Sequence, residues 1–243
     1  MPVHVDPRLR LATTLSWPVG IAWTSWHYMW RILPVHRSEE PGRVPDDLPP
    51  PLPAAIHREE IQEPEDGVGP LLHRLYSCRI AGARLGPEEL IETVAADPNR
   101  IAPRQIARFT KAEGEEGRMR AGDEFLVHMP GPWNGPVRAI EVRRDGFRFA
   151  TLAGHLEAGQ IEWRAWEQGG ELHFAVESWA RGGDRLSAIL HDRLRMAKEV
   201  QLYMWTSVLQ RTAQLTNGHL VDGVSVRTRR VPPEGLQRVA GAR

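Results

Sequence analysis

The chain has 243 residues, with 31 basic and 31 acidic side chains for a formal net charge of zero, and one cysteine. That length allows one or two domains, at about 100–200 residues each. Balanced charge removes the basic surplus that nucleic-acid binding uses and the acidic surplus of a solvating tail. The lone Cys78 excludes an intramolecular disulfide, and without a Cys/His cluster no structural zinc site is expected.

Residues 11–30, LATTLSWPVGIAWTSWHYMW, carry no formal charge. Twenty helical residues would reach about 30 Å, the thickness of a hydrocarbon core. The run is nevertheless weakly apolar, broken by Pro18 and dotted with Thr and Ser. Trp17, Trp23, Trp26 and Trp30 favour a headgroup zone. Leu15, Val19, Trp23, Trp26 and Trp30 recur at helical spacing. Three readings fit: a helix lying in the membrane interface, a single transmembrane anchor, or an amphipathic helix packed on protein. No A-x-A-like site follows, which argues against a cleaved signal peptide. Localisation is expected to be cytoplasmic, with the inner face of the cell membrane as the surface a helix at 1–37 would meet.

Residues 38–70 are dense in proline and acidic side chains. Proline fixes φ and removes a donor, so the stretch predicts an extended spacer, part of which can lie along a domain surface. The main domain is expected over 71–218, with 219–243 as a C-terminal tail carrying a short strand at Val221 to Val226.

Residues 71–85 alternate as a strand, and Cys78 within them reads as a small buried side chain. Gly86-Pro87 opens a helix with Glu88 and Glu89 in its first turn and Leu90, Ile91, Val94 and Ala95 on one face. A second short helix is predicted after Pro103, using Ile106, Ala107 and Phe109. Strands follow at Glu124–Met129, Val137–Val142, Phe147–Leu152, Gln160–Gln168 and Glu171–Ala180. Gly169-Gly170 between the last two is a hairpin signal. A long helix then starts at an Asp184 cap. Leu186, Leu190, Leu194, Ala197, Val200, Met204 and Val208 form its apolar stripe, and Asn217-Gly218 stops it. Ile161, Trp163, Phe174 and Val176 are its expected partners.

This order predicts an α+β fold: a curved antiparallel sheet closed by a long C-terminal helix, preceded by an N-terminal amphipathic or membrane-associated helix. A sheet gripping a helix leaves a gap where an apolar ligand can sit; a filled core is the alternative. The segments GDEFLVHMPGPWNGPV (122–137), ATLAGHLEAGQIEWRA (150–165), ESWARGGDRL (177–186) and DRLRMAKEVQLYMWTSVLQR (192–211) resemble the uncharacterised family called domain of unknown function nineteen-ninety, over about Leu75 to Leu215. That family implies no catalytic residues. The element order also resembles the START-like helix-grip superfamily, which includes lipid carriers, pollen allergens and polyketide cyclases; this implies a ligand between sheet and helix.

Candidate chemistry is sparse. His155 and Glu157, two apart in GHLEAG, form a candidate acid/base pair, since histidine titrates near neutral pH. Glu162 and Glu177 are expected close across the sheet, with Arg181 able to pair with one. A salt-bridge network fixing the sheet is the plainer reading. Trp133, in PGPWNGP, is a candidate gate or membrane-touching side chain. The candidate ligand-binding set is Trp133, His155, Trp163, Glu177 and Arg181. His191, Asp192, Arg193, Arg195, Lys198 and Glu199 read as a solvated helix face. No GxGxxG, P-loop, HExxH or GxSxG is present, so no cofactor or metal is expected. The first expectation is therefore a non-enzymatic binding protein for an apolar or amphipathic small molecule near a membrane. An enzyme of cyclase, hydrolase or isomerase type using His155 and Glu157, or a structural or partner-binding module at the membrane, are the alternatives.

Overall fold

A computed structural model describes residues 33–129, 134–183, 195–234 and 236, with helix side chains from Gln201 onward. The tryptophan-rich segment, Trp133, the Asp184 cap, the helix stripe from Leu186 to Val200 and the His191–Glu199 cluster lie outside the residues so described. The strands are β1 (Val35–Pro41), β2 (Val68–Ala81), β3 (Arg108–Glu113), β4 (Glu124–His128), β5 (Asn134–Val142), β6 (Gly146–Thr151), β7 (Glu157–Gln168), β8 (Glu171–Gly182) and β9 (His219–Val231). The helices are α1 (Pro87–Ala96) and α2 (Arg195–Leu215).

All nine strands join one sheet in the order β1-β9-β2-β8-β7-β6-β5-β4-β3. Neighbours are antiparallel except β1, which runs parallel to β9. Short connections account for the β3-to-β8 meander. At its tightest turn Gly169 and Gly170 have φ of 64° and 78°, the left-handed pair that a two-residue hairpin requires. At Gly159 a Cβ would stand 1.9 Å from the Trp179 carbonyl oxygen, so β7 and β8 approach there more closely than any side chain allows.

The alternation of each strand sorts its side chains onto two faces. Tyr76, Cys78 and Ile80 of β2, Phe174 and Val176 of β8, Trp163 and Ala165 of β7, and Phe147 and Phe149 of β6 face inward and share one buried cluster with both helices. Helix α1 contributes Leu90, Ile91, Val94 and Ala95. Helix α2 contributes Leu202, Trp205, Val208, Leu209 and Ala213. The helix therefore rolls further than the predicted stripe: Met204 is half-buried, while Leu202, Trp205 and Leu209 lie at the centre of the contact. Its end is a Schellman motif. Asn217 takes φ 55°, and the N–H groups of Gly218 and Asn217 reach back to the carbonyls of Ala213 and Gln214.

Three expectations need correction. The short helix after Pro103 is a single turn, in which Ile106 and Ala107 N–H both donate to the Pro103 carbonyl. Phe109 belongs to β3 instead, because the Asn99 amide accepts from its N–H and donates to its carbonyl, holding that backbone extended. The presumed tail is a 13-residue strand between β1 and β2. Its alternation is hidden by Asp222 and Gly223, both at positive φ, where the register against β2 slips.

The stretch expected as a spacer also belongs to the domain. Val35–Pro41 is an edge strand, and residues 42–67 form a strap across the outer sheet face. Prolines leave the strap short of donors, and the sheet supplies them. Gln160 Nε2 donates to the Pro50 carbonyl at 3.2 Å and an Arg148 nitrogen to that of Pro51 at 3.2 Å. Arg138 donates to the carbonyls of His57 and Glu59 at 2.7 and 2.9 Å. Leu52, Ile56 and Ile61 fill in against Ile140 and Ala150.

Candidate functional site

The outer face is charged and paired. His73 on β2 places Nδ1 2.7 Å from Asp47 of the strap and Nε2 2.6 Å from Glu177 of β8, with its ring stacked on Trp179 at 5.2 Å. Burial pulls the His73 pKa down, but the two carboxylates outweigh it and the net shift is upward. Burial pushes Asp47 and Glu177 up, and their hydrogen bonds to neighbouring N–H groups and His73 carry both to net values below the usual carboxylate range. Arg164 closes the network on Glu177 at 2.7 Å.

Glu177 and Arg181 therefore lie on the outer face, away from the helix. Both are odd-numbered residues of β8, whose even members Phe174 and Val176 face the helix. Glu162 and Glu177 are register partners, as expected. Each carboxylate has its own cation, Arg143 for Glu162 and Arg164 for Glu177. Arg181 pairs with neither; it donates to the carbonyls of Gly69 and Pro64 at 2.8 and 2.9 Å and fastens the strap.

His155 and Glu157 are adjacent, but their side chains do not meet as an acid/base couple. His155 lies in the turn before β7. Its Nδ1 accepts from the Glu157 backbone N–H at 2.9 Å, and its ring packs over Gly135. Burial lowers its pKa, which keeps the imidazole neutral. The Glu157 carboxylate instead accepts from Gln201 Nε2 of α2 at 3.2 Å.

The inner face is built differently. Trp163 stacks on Phe147 at 5.0 Å, meets Phe149 edge-on at 5.3 Å and faces Trp205 at 6.0 Å. Tyr76 approaches Trp205 at 6.0 Å, and burial pushes its hydroxyl up to about 12. Burial likewise raises the Cys78 thiol to about 12, so it is an inert core group. This aromatic wall ends in a polar line: Arg74 donates to the Gln201 side-chain oxygen, and Gln201 in turn donates to Glu157. Arg74 is 8% exposed. Five buried side-chain polar atoms lack a hydrogen-bond partner among the described residues: Arg148 Nε, Gln160 Oε1, Arg164 Nε, Trp179 Nε1 and Trp205 Nε1. The first four belong to outer-face residues, and Trp205 belongs to the inner cluster.

Of the expected ligand-binding residues, Trp163 is on this inner wall. Arg74, Tyr76 and Gln201, which the sequence reading did not single out, lie on the same side. The signal for Arg74 was present: it shares strand parity with Tyr76, Cys78 and Ile80, which puts a cation on an apolar face. Among the described residues no helix is long and apolar enough to cross a membrane.

The architecture is that of a helix grip: a large, curved, mostly antiparallel sheet with a C-terminal helix against its inner face. No family profile and no curated protein matches the chain. Solved structures do. The di-domain ARO/CYC StfQ of the steffimycin biosynthetic pathway matches with a TM-score of 0.45 and 12% identity, over 63% of this chain and 52% of its own. This chain thus spans about half of that protein's length. Hypothetical protein jhp0584 of Helicobacter pylori matches with 0.45 and 8% identity, over 58% and 86% of the two chains. Major latex-like protein 151 of Panax ginseng matches with 0.39 and 13%, over 57% and 98%. Likeness at this level carries no functional argument.

Proposed function

We propose that the chain binds an apolar or amphipathic small molecule between the inner sheet face and helix α2. One observation carries this reading: a continuous aromatic wall, Phe147–Trp163–Trp205–Tyr76, ends in a polar line at Arg74, Gln201 and Glu157 and holds an indole N–H that has no acceptor among the described residues. Binding sites for small molecules combine such apolar walls with a few placed polar groups. A buried donor without a partner costs free energy that a bound acceptor would recover.

Native mass spectrometry of the purified full chain, followed by solvent extraction, tests the reading. A co-purifying molecule, or a ligand-dependent rise in melting temperature across a panel of lipids and aromatic compounds, is the expected result. A protein that is ligand-free and indifferent to the whole panel would sink it. The tryptophan-rich segment 11–30 supports a membrane-facing N-terminus as part of the same proposal. Because β1 begins at Val35, removal of residues 1–32 spares the sheet; vesicle co-sedimentation unchanged by that truncation would remove the tether.

A further inference from the structure

We propose that the molecule held in the grip is a monoanion, a carboxylic acid with an aryl or acyl body, and that Arg74 and Trp205 Nε1 receive its carboxylate. The inference rests on the ligand-binding reading above and assigns the chemistry of its polar end.

Among the described residues, Arg74 is a buried cation with no carboxylate in ion-pair contact. It projects from the inner face of β2, in register with Ser178 of β8 and Thr228 of β9. Its partners are neutral: the Gln201 amide oxygen and the Tyr76 hydroxyl. Among the described residues no carboxylate pairs with it. Other buried cations here do have carboxylates. Lys111 has Asp123 at 2.7 Å, Arg138 has Glu124 at 2.5 Å and Arg148 has Glu141 at 3.0 Å. A guanidinium cannot shed its proton, and taking it out of water without an opposite charge is costly. An interior that keeps such a group is suited to an anion arriving from outside.

Gln201 connects the two donors: it bonds Arg74 and stands one turn before Trp205 on α2. Gln201 and Trp205 stand one turn apart on the same face of α2, and helical side chains lean toward the N-terminus. The Trp205 indole therefore lies over the turn that carries Gln201, where Arg74 arrives from the sheet. The guanidinium fork matches a planar carboxylate in two parallel hydrogen bonds, and the indole N–H adds a third donor. An incoming carboxylate would displace the Gln201 oxygen from Arg74 while the Gln201 NH2 keeps its bond to Glu157. Glu157, one side chain beyond, sets the limit on charge: a phosphate monoester dianion would face its carboxylate, a monoanion would not. The body of the ligand would lie along Tyr76, Trp163 and Trp205.

Fluorescence titration of the full chain with cis-parinarate and 1-pyrenebutyrate, each against its methyl ester, tests this. The acids are expected to bind at least about 10-fold more tightly than the esters. Arg74→Gln should weaken acid binding by about 10–100-fold and bring the acid-to-ester affinity ratio towards one; Trp205→Phe should weaken the acids by about 3–10-fold. Equal binding of acid and ester, or undiminished acid binding by Arg74→Gln, overturns the anion site while leaving the ligand-binding reading intact. Binding of neither acids nor esters overturns both. Dodecyl phosphate binding more tightly than laurate, read by displacement of the probe, overturns the carboxylate assignment. Arg74→Met serves as the folding control: it should melt at or above the wild-type temperature. Collapse of both Arg74 variants would mark a structural cation and overturn the proposal.

Discussion

The two faces of one sheet treat charge in opposite ways. On the outer face, beneath the proline-rich strap, His73 sits between two carboxylates, and Glu162, Glu177 and Arg138 each have an opposite charge within 3 Å. On the inner face, among the described residues, Arg74 has neutral partners and Trp205 has a donor with none. A buried ion network is costly to break on one side but is weak evidence of function. A buried ion with no carboxylate in direct contact costs free energy that an ion pair would offset. The difference separates groups that hold the strap down from groups for which we propose a ligand as the partner.

The comparison breaks most sharply at His73. His73→Ala leaves Asp47 and Glu177 buried without their shared cation and should cost about 3–5 kcal/mol in urea denaturation near pH 6. Arg74→Met, its counterpart on the inner face, should cost nothing. If both substitutions destabilise equally, the contrast fails.

Arg138→Met comes next. It frees the carbonyls of His57 and Glu59 and leaves Glu124 without its cation, at about 1–3 kcal/mol. The loss should be local to the strap, so limited trypsin digestion should cut earlier at Arg58 than in the wild type. Unchanged cleavage would mean the strap is held by its apolar contacts instead.

The pH dependence follows from the His73 cluster. The folded pKa of His73 lies above its unfolded value of about 6.5, so its contribution is complete below that pH and fades as pH rises through the folded value. Asp47 and Glu177 are shifted down, so theirs is present above about pH 4 and is lost as pH falls through their folded values. Thermal midpoints should therefore peak between these limits and decline on the alkaline side, and His73→Gln should flatten that decline. A wild-type midpoint that does not fall with rising pH would contradict it.

The smallest effect is expected at the helix stop. Asn217→Gly relieves the left-handed strain at φ 55° and should stabilise by about 0.5 kcal/mol, readable as a small rise in melting temperature.

Much of the fold was written locally. Alternation in 71–81 and 157–182, the Gly169-Gly170 turn, Pro87 at a helix start and Asn217-Gly218 at a helix end each express a preference that needs only near neighbours along the chain. These determined an α+β chain with a long helix after an antiparallel meander. Parity even sorted each strand into two faces. It assigned Phe174 and Val176 to the helix, yet Glu177 and Arg181, on the opposite row of the same strand, were grouped with the ligand-binding candidates for their charge. Arg74, in line with Tyr76 and Cys78, was passed over, because strand parity does not say which charges will be paired. The tertiary structure decided the rest. His73 finds Asp47 across 26 residues and Glu177 across 104, β9 inserts between β1 and β2, and a stretch that reads as a spacer becomes the cover of the outer face. Each depends on partners distant in sequence. Proline-rich backbone offers unpaired carbonyls, and no local pattern tells whether water or a row of arginines will meet them.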